Sequence, residues 1–127
     1  MKYNGVKIND KKPKWAKDLP DTVIVDRYIY DVIWSNTMAT KDCLGISNVD
    51  ELTILLDNDS PESVQKNTFM HEIIHVAFNR VTAVSTHSSI SFGKSSANDI
   101  EHYAVYALTD LLRFFIMDNP EWVRWLS

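Results

Sequence analysis

The sequence predicts an α+β fold: a small, mostly antiparallel sheet packed against a motif-bearing helix and a second long helix. Three observations carry that expectation. β-branched and aromatic residues crowd the first half of the chain, as in Thr22-Val23-Ile24-Val25 and Leu52-Thr53-Ile54-Leu55-Leu56. From Pro61 onward the apolar residues recur at three- and four-residue spacing, the period of a helix. Between the two halves, Asp57-Asn58-Asp59-Ser60-Pro61-Glu62 holds the residues of a helix start. A chain of 127 residues fits one domain, with strands and loops over 1–60 and helices over 61–127.

Taken in order, residues 3–8 surround Asn4-Gly5 and predict a short strand or half a hairpin. Residues 9–21 are rich in Lys, Asp and Pro and predict a loop, with Trp15 expected to pack back onto the core. Residues 22–34 are long for one strand, and Asp26-Arg27 marks a bulge or a tight turn inside them. After a polar stretch at 35–43, two strands, Leu44–Ser47 and Leu52–Asp57, flank a turn at Asn48-Val49-Asp50. Ser60 suits an N-cap, Pro61 the first helical position and Glu62 the positive end of the dipole. This helix is expected to run from Pro61 to about Arg80. Its apolar residues, from Val64 to Val81, cover much of the circumference, which predicts burial around residues 71–75. Residues 82–96 form a Ser/Thr/Gly-rich connection. A second helix starts near Ser96 to Asn98 and carries an expected inward stripe of Glu101, Val105, Leu108 and Leu112. Asp118-Asn119-Pro120 stops it, and Glu121 to Leu126 forms a last short helix.

Composition narrows the function classes. With 45% hydrophobic and 24% charged residues the chain is globular, not disordered. A net charge of −4 argues against broad nucleic-acid binding, and Lys11, Lys12, Lys14 and Lys17 read as a solvated loop. Cys43 is the only cysteine, so neither an internal disulfide nor a cysteine-based zinc site is expected. The N-terminus lacks a signal-peptide core and no apolar run reaches the length of a membrane span, so the expected compartment is the cytoplasm.

The chemistry concentrates in His71-Glu72-Ile73-Ile74-His75. On a helix, positions i and i+4 share one face, so both imidazoles reach a single metal ion. Glu72 stands about 100° round from His71, where its carboxylate borders that face and can hold a water. With four His in the chain, chance gives this pattern roughly once in two hundred such chains. Its setting therefore has to support it. A catalytic zinc takes three protein ligands and a water, and the third is open among Glu101, His87, His102 and Asp99. Glu101 is favoured, because a second helix laid against the first brings a carboxylate on its inward stripe to the metal. His102 points about 100° away from it. His87 is a candidate ligand or a donor to an oxyanion, a role also open to Tyr103 and Tyr106.

Thr68-Phe69-Met70-His71-Glu72-Ile73-Ile74-His75-Val76-Ala77 resembles the active-site helix of zincin metallopeptidases. The order of elements over residues 44–126, with the ending Asp118-Asn119-Pro120-Glu121, resembles small metallopeptidase-like proteins encoded by bacteriophages and prophages. Glu101-x-x-Ala104 resembles, more weakly, the ImmA/IrrE-type peptidases. These likenesses imply that His71, His75 and Glu101 bind zinc and that Glu72 is the general base and acid. The Gly-x-x-His of metzincins and the Asn-Glu-x-x-x-Glu of thermolysin-like enzymes are both absent. The implied function is zinc-dependent hydrolysis of a peptide or protein in the cytoplasm, a bacterial host's if the chain is phage-derived. Zincins also hold an extended substrate along the strand beside the motif helix, which points to Leu52–Asp57 here. The alternative is a non-catalytic phage accessory protein whose metal is structural, with four protein ligands. A metal-free scaffold docking through Trp122 and Trp125 is the third reading.

Overall fold

The computed structural model describes the backbone of residues 2–3, 6–7, 12–36, 43–87 and 97–127, and the side chains of 12–36, 43–81 and 101–127. Strands β1 (Lys2–Tyr3) and β2 (Val6–Lys7) pair antiparallel, and a turn of 3-10 helix covers Lys14–Ala16. The main sheet has strands β3 (Thr22–Val25), β4 (Tyr28–Ser35), β5 (Gly45–Asn48) and β6 (Thr53–Asp57), in the order β3-β4-β6-β5. Helices α1 (Glu62–His87), α2 (Ala97–Asp118) and α3 (Pro120–Leu126) follow. The chain is thus α+β, as its sequence predicts.

The sheet is mixed, which corrects the antiparallel emphasis. β3 and β4 pair antiparallel, as do β5 and β6, but β4 and β6 run parallel from Asp31↔Thr53 to Ser35↔Asp57. After β4 the chain goes to the outer position as β5 and returns by a hairpin to fill the gap as β6. All five β6 residues are buried, so the strand expected to hold substrate has both its edges occupied. Among the described residues, the open edge belongs to β5.

Local chemistry explains the turns. Asp26 and Arg27 have φ of 49° and 70°, making the two-residue hairpin in which both central positions are left-handed. Such backbone is unfavourable for non-glycine residues, and α1 braces it. Arg80 Nε donates to Asp26 Oδ2 at 3.1 Å, and the guanidinium lies 4.3 Å from the centre of the Tyr28 ring. Between β5 and β6, Asn48 Oδ1 accepts from the backbone N–H groups of Asp50 and Glu51 at 3.0 Å, an Asx-type turn. Trp15 is more exposed than its sequence context suggests, and its indole donates to Gln65 Oε1 at 2.5 Å.

Three helix expectations change. The first helix continues to His87, taking up residues read as a connection. The helix begins at Glu62, one residue later than expected, and the hydroxyl of Ser60, the expected N-cap, donates back to Asp57 Oδ2. On α2 the buried stripe centres on Phe115; Glu101 and Val105 are exposed, and Leu108 and Leu112 are half-buried. Among the described residues, no helix is long and apolar enough to cross a membrane.

The core lies between the sheet and the helices. Phe69 of α1 stacks on Trp122 with ring centres 4.5 Å apart and planes at 11°, and meets the edge of Trp125 at 6.0 Å. Trp122 is fully buried, so this segment fills the core and is not a free docking face. The free edge of β3 is closed from the same corner. Asn119 Oδ1 accepts from Ile24 N at 2.8 Å, while its Nδ2 donates to Ile24 O at 2.7 Å and to Phe115 O at 3.0 Å. One side-chain amide thereby does what a neighbouring strand would do, and Trp122 Nε1 adds a bond to Thr22 O at 2.9 Å.

Asn119→Ala removes one side of three buried hydrogen bonds and leaves backbone groups without partners. The expected loss of stability is about 2–3 kcal/mol, read as a lower urea midpoint at unchanged slope. A midpoint equal to that of the wild type would show that the Asn119 clasp contributes nothing.

Candidate metal centre

α1 presents its motif in a way set by its roll. Phe69, Ile73 and Val76 are fully buried against the core, and from Phe69 a helix turns about 200° to reach residue 71. His71 and His75 are accordingly exposed, whereas Glu72 retains only 6% of its exposure. This reverses part of the burial expectation: the carboxylate is enclosed and the imidazoles face outward. Ile74 and Phe78, counted as core from the sequence, are also on the open side, at 50% and 54% exposure.

The two imidazoles converge. Their Nε2 atoms are 3.0 Å apart, and the rings stand edge to face at 74°. Two nitrogens each bound at 2.0–2.1 Å to a tetrahedral zinc would be separated by about 3.3 Å. The spacing is thus close to the bite of one zinc ion, and two neutral imidazoles are the donors such an ion takes. A neutral pair sharing one proton has similar spacing. Because both rings face outward, neither needs a partner to offset burial.

Around this pair lie three clefts. One of about 550 Å³ is lined by Cys43, Leu44, Gly45, Asn67, Thr68, His71 and Glu72. A second of about 490 Å³ runs past Gly45, Ile46, Ser47 and Val49 to His71, Glu72, His75 and Asn79. The third, about 270 Å³, lies between His71, Ile74, His75 and Phe78. Glu72 and His71 border both of the larger clefts, and the open edge of β5 forms their opposite wall. Among the described residues, Glu72 lines the two larger clefts and no Lys, Arg or Asp lines any of the three.

The proposed third ligands fare differently. Glu101 is exposed on the first turns of α2, and His102 beside it is exposed too. Among the described residues, no three His, Cys, Asp or Glu side chains gather closely enough to hold a metal ion. His87 is the last residue of α1 and Asp99 lies in the first turn of α2; the side chains of both fall outside the described residues. Tyr106 is exposed and Tyr103 half-buried. The sequence reading missed the wall formed by β5. Its signal was Gly45, since an isolated glycine in a strand marks a close backbone approach.

Zinc titration against a competing chelator is expected to give one site per chain, and His71→Ala or His75→Ala is expected to weaken it by at least about 100-fold. Unchanged affinity in either variant would remove the pair as the metal centre. Comparisons with protein-family models, with curated proteins and with solved structures find no match to this chain.

Proposed function

We propose that the chain is a zinc-dependent peptidase in which His71 and His75 hold the metal and Glu72 moves the proton. The observation that carries this reading is the pairing of converged, outward imidazoles with a carboxylate enclosed beside them. A structural zinc site is closed by four protein ligands; an exposed two-histidine face beside clefts suits access by water and substrate. Glu101 is the third ligand that the likeness to ImmA/IrrE-type peptidases implies. The arrangement of an edge strand beside the motif helix is likewise consistent with a minimal zincin.

When bound, zinc supplies Lewis acidity, lowering the pKa of water and polarising a carbonyl. The rest falls to the chain. Glu72, held between α1 and β5, accepts a proton from the attacking water and returns it to the leaving amine nitrogen. β5 holds the substrate. Asp57 N donates to Leu44 O at 2.9 Å, so Leu44, Ile46 and Asn48 bond inward to β6 by the antiparallel register. Gly45 and Ser47 therefore turn their N–H and C=O outward, where an extended peptide can add as a further strand.

Glu72→Gln keeps the shape but cannot accept a proton. With zinc bound as in the wild type, it is expected to lower kcat by about 100-fold or more in a peptide-library cleavage assay. Cleavage at the wild-type rate would rule out Glu72 as the base. Glu101→Gln is expected to weaken zinc by at least about tenfold, and an unchanged affinity would assign the third position elsewhere.

A further inference from the structure

We propose that Gly45 and Thr68 form a spacer that positions the Glu72 carboxylate, a role that rests on the peptidase reading above. Thr68 and Glu72 are four residues apart on α1, so they stand one above the other on one helix face. Gly45 of the edge strand meets both. A Cβ built on Gly45 would lie 2.6 Å from Thr68 Cγ2, 3.1 Å from Glu72 Cγ and 3.2 Å from Glu72 Oε1. The first of these is below any real contact distance, so the strand can run this close only without a side chain. Gly45 is not among the residues with left-handed backbone; space, not backbone freedom, is what the glycine supplies here.

Thr68 cannot simply rotate away. Its Oγ1 donates to Val64 O at 2.8 Å, which fixes χ1 and with it the direction of the methyl group. The methyl thus sets how near β5 approaches α1, and the strand in turn limits where the Glu72 side chain can lie. That carboxylate borders both larger clefts, and Gly45 is also a residue whose N–H and C=O face the open edge. One contact therefore fixes the distance between the proton acceptor and the strand that would hold the peptide. Gly45 and Thr68 are positioning residues, acting through Glu72.

The test is a pair of variants, Gly45→Ala and Gly45→Ala combined with Thr68→Ser. Serine keeps the hydroxyl that bonds Val64 and removes the methyl that a new Cβ would strike. Gly45→Ala is expected to lower kcat about tenfold or more, the penalty of a misplaced catalytic group, with zinc affinity within about threefold of wild type. The double variant is expected to recover most of that loss. Independently of turnover, the Glu72 side-chain carboxyl carbon resonance in metal-free protein should move in Gly45→Ala and return in the double variant. Should the single variant not fold, the double variant is compared with wild type on the same two readouts. A wild-type kcat and resonance in Gly45→Ala would overturn the spacer, and so would failure of Thr68→Ser to restore either. If the wild-type chain cleaves no peptide, the peptidase reading falls, while the resonance still decides whether the spacer positions Glu72.

Discussion

The stack of Phe69 on Trp122 is the contact on which the rest depends. A helix lying on a sheet has one rotational freedom, its roll, and the largest buried side chain on its inner face fixes it. Phe69 is fully enclosed, with Phe115, Trp122 and Trp125 around its ring. Because the period is 3.6 residues, that single constraint turns positions 71 and 75 outward and leaves position 72 on the border, about 60° from Phe69. The chemistry of the motif is thus set by an aromatic contact two residues before it. Burial of three aromatic rings, Phe69, Phe115 and Trp122, at roughly 1.5–3 kcal/mol each, is ample to hold a roll angle against the thermal energy.

The same corner decides which edge of the sheet remains open. A four-stranded sheet has two edges, each a row of backbone donors and acceptors that will pair with whatever fits. At β3, Asn119 and Trp122 occupy those groups with side-chain atoms. At β5 the outward groups of Gly45 and Ser47 remain beside His71 and Glu72. Closing one edge and leaving the other beside His71 and Glu72 confines strand addition to the side where the motif stands. The Asp118-Asn119-Pro120-Glu121 stretch, conspicuous in the sequence as a helix stop, is therefore also an edge cap.

Much of this was legible in the residues, and what was not has a physical reason. Local signals gave the strands, the Asp26-Arg27 turn, the start of α1 and the stop after Asp118, because turn and cap chemistry acts within a few residues. The parallel pairing of β4 with β6 was hidden, since strand order is decided by contacts far apart in sequence. For the same reason the edge was assigned to Leu52–Asp57, when β5 had taken the outer place. The roll of α1 was misjudged because Ile74 and Phe78 count as apolar wherever they point, and only the partners of Phe69 distinguish inside from outside. On α2 an error of similar size put Glu101 on the inward stripe; the stripe actually buried turns about Phe115. Gly45 left a signal, but its meaning required knowing which helix the strand would meet.

The contrast between Glu72 and its two neighbours bears on how such a site is built. Glu72 as a residue is 6% exposed, packed between helix and strand with its carboxylate bordering both larger clefts. Nothing about holding the sheet to the helix requires a carboxylate at this position; Ile73, beside it, supplies the packing. Imidazoles on an exposed face keep their hydration, and both rings of this pair lie there. Glu72 is the one packed between helix and strand, where its position is most strictly fixed, and the imidazoles are left where solvent can reach them. Along His71-Glu72-Ile73-Ile74-His75 the helix thus gives the most strictly fixed position to the carboxylate and the most accessible ones to the imidazoles, the distribution that the proposed proton transfer would use.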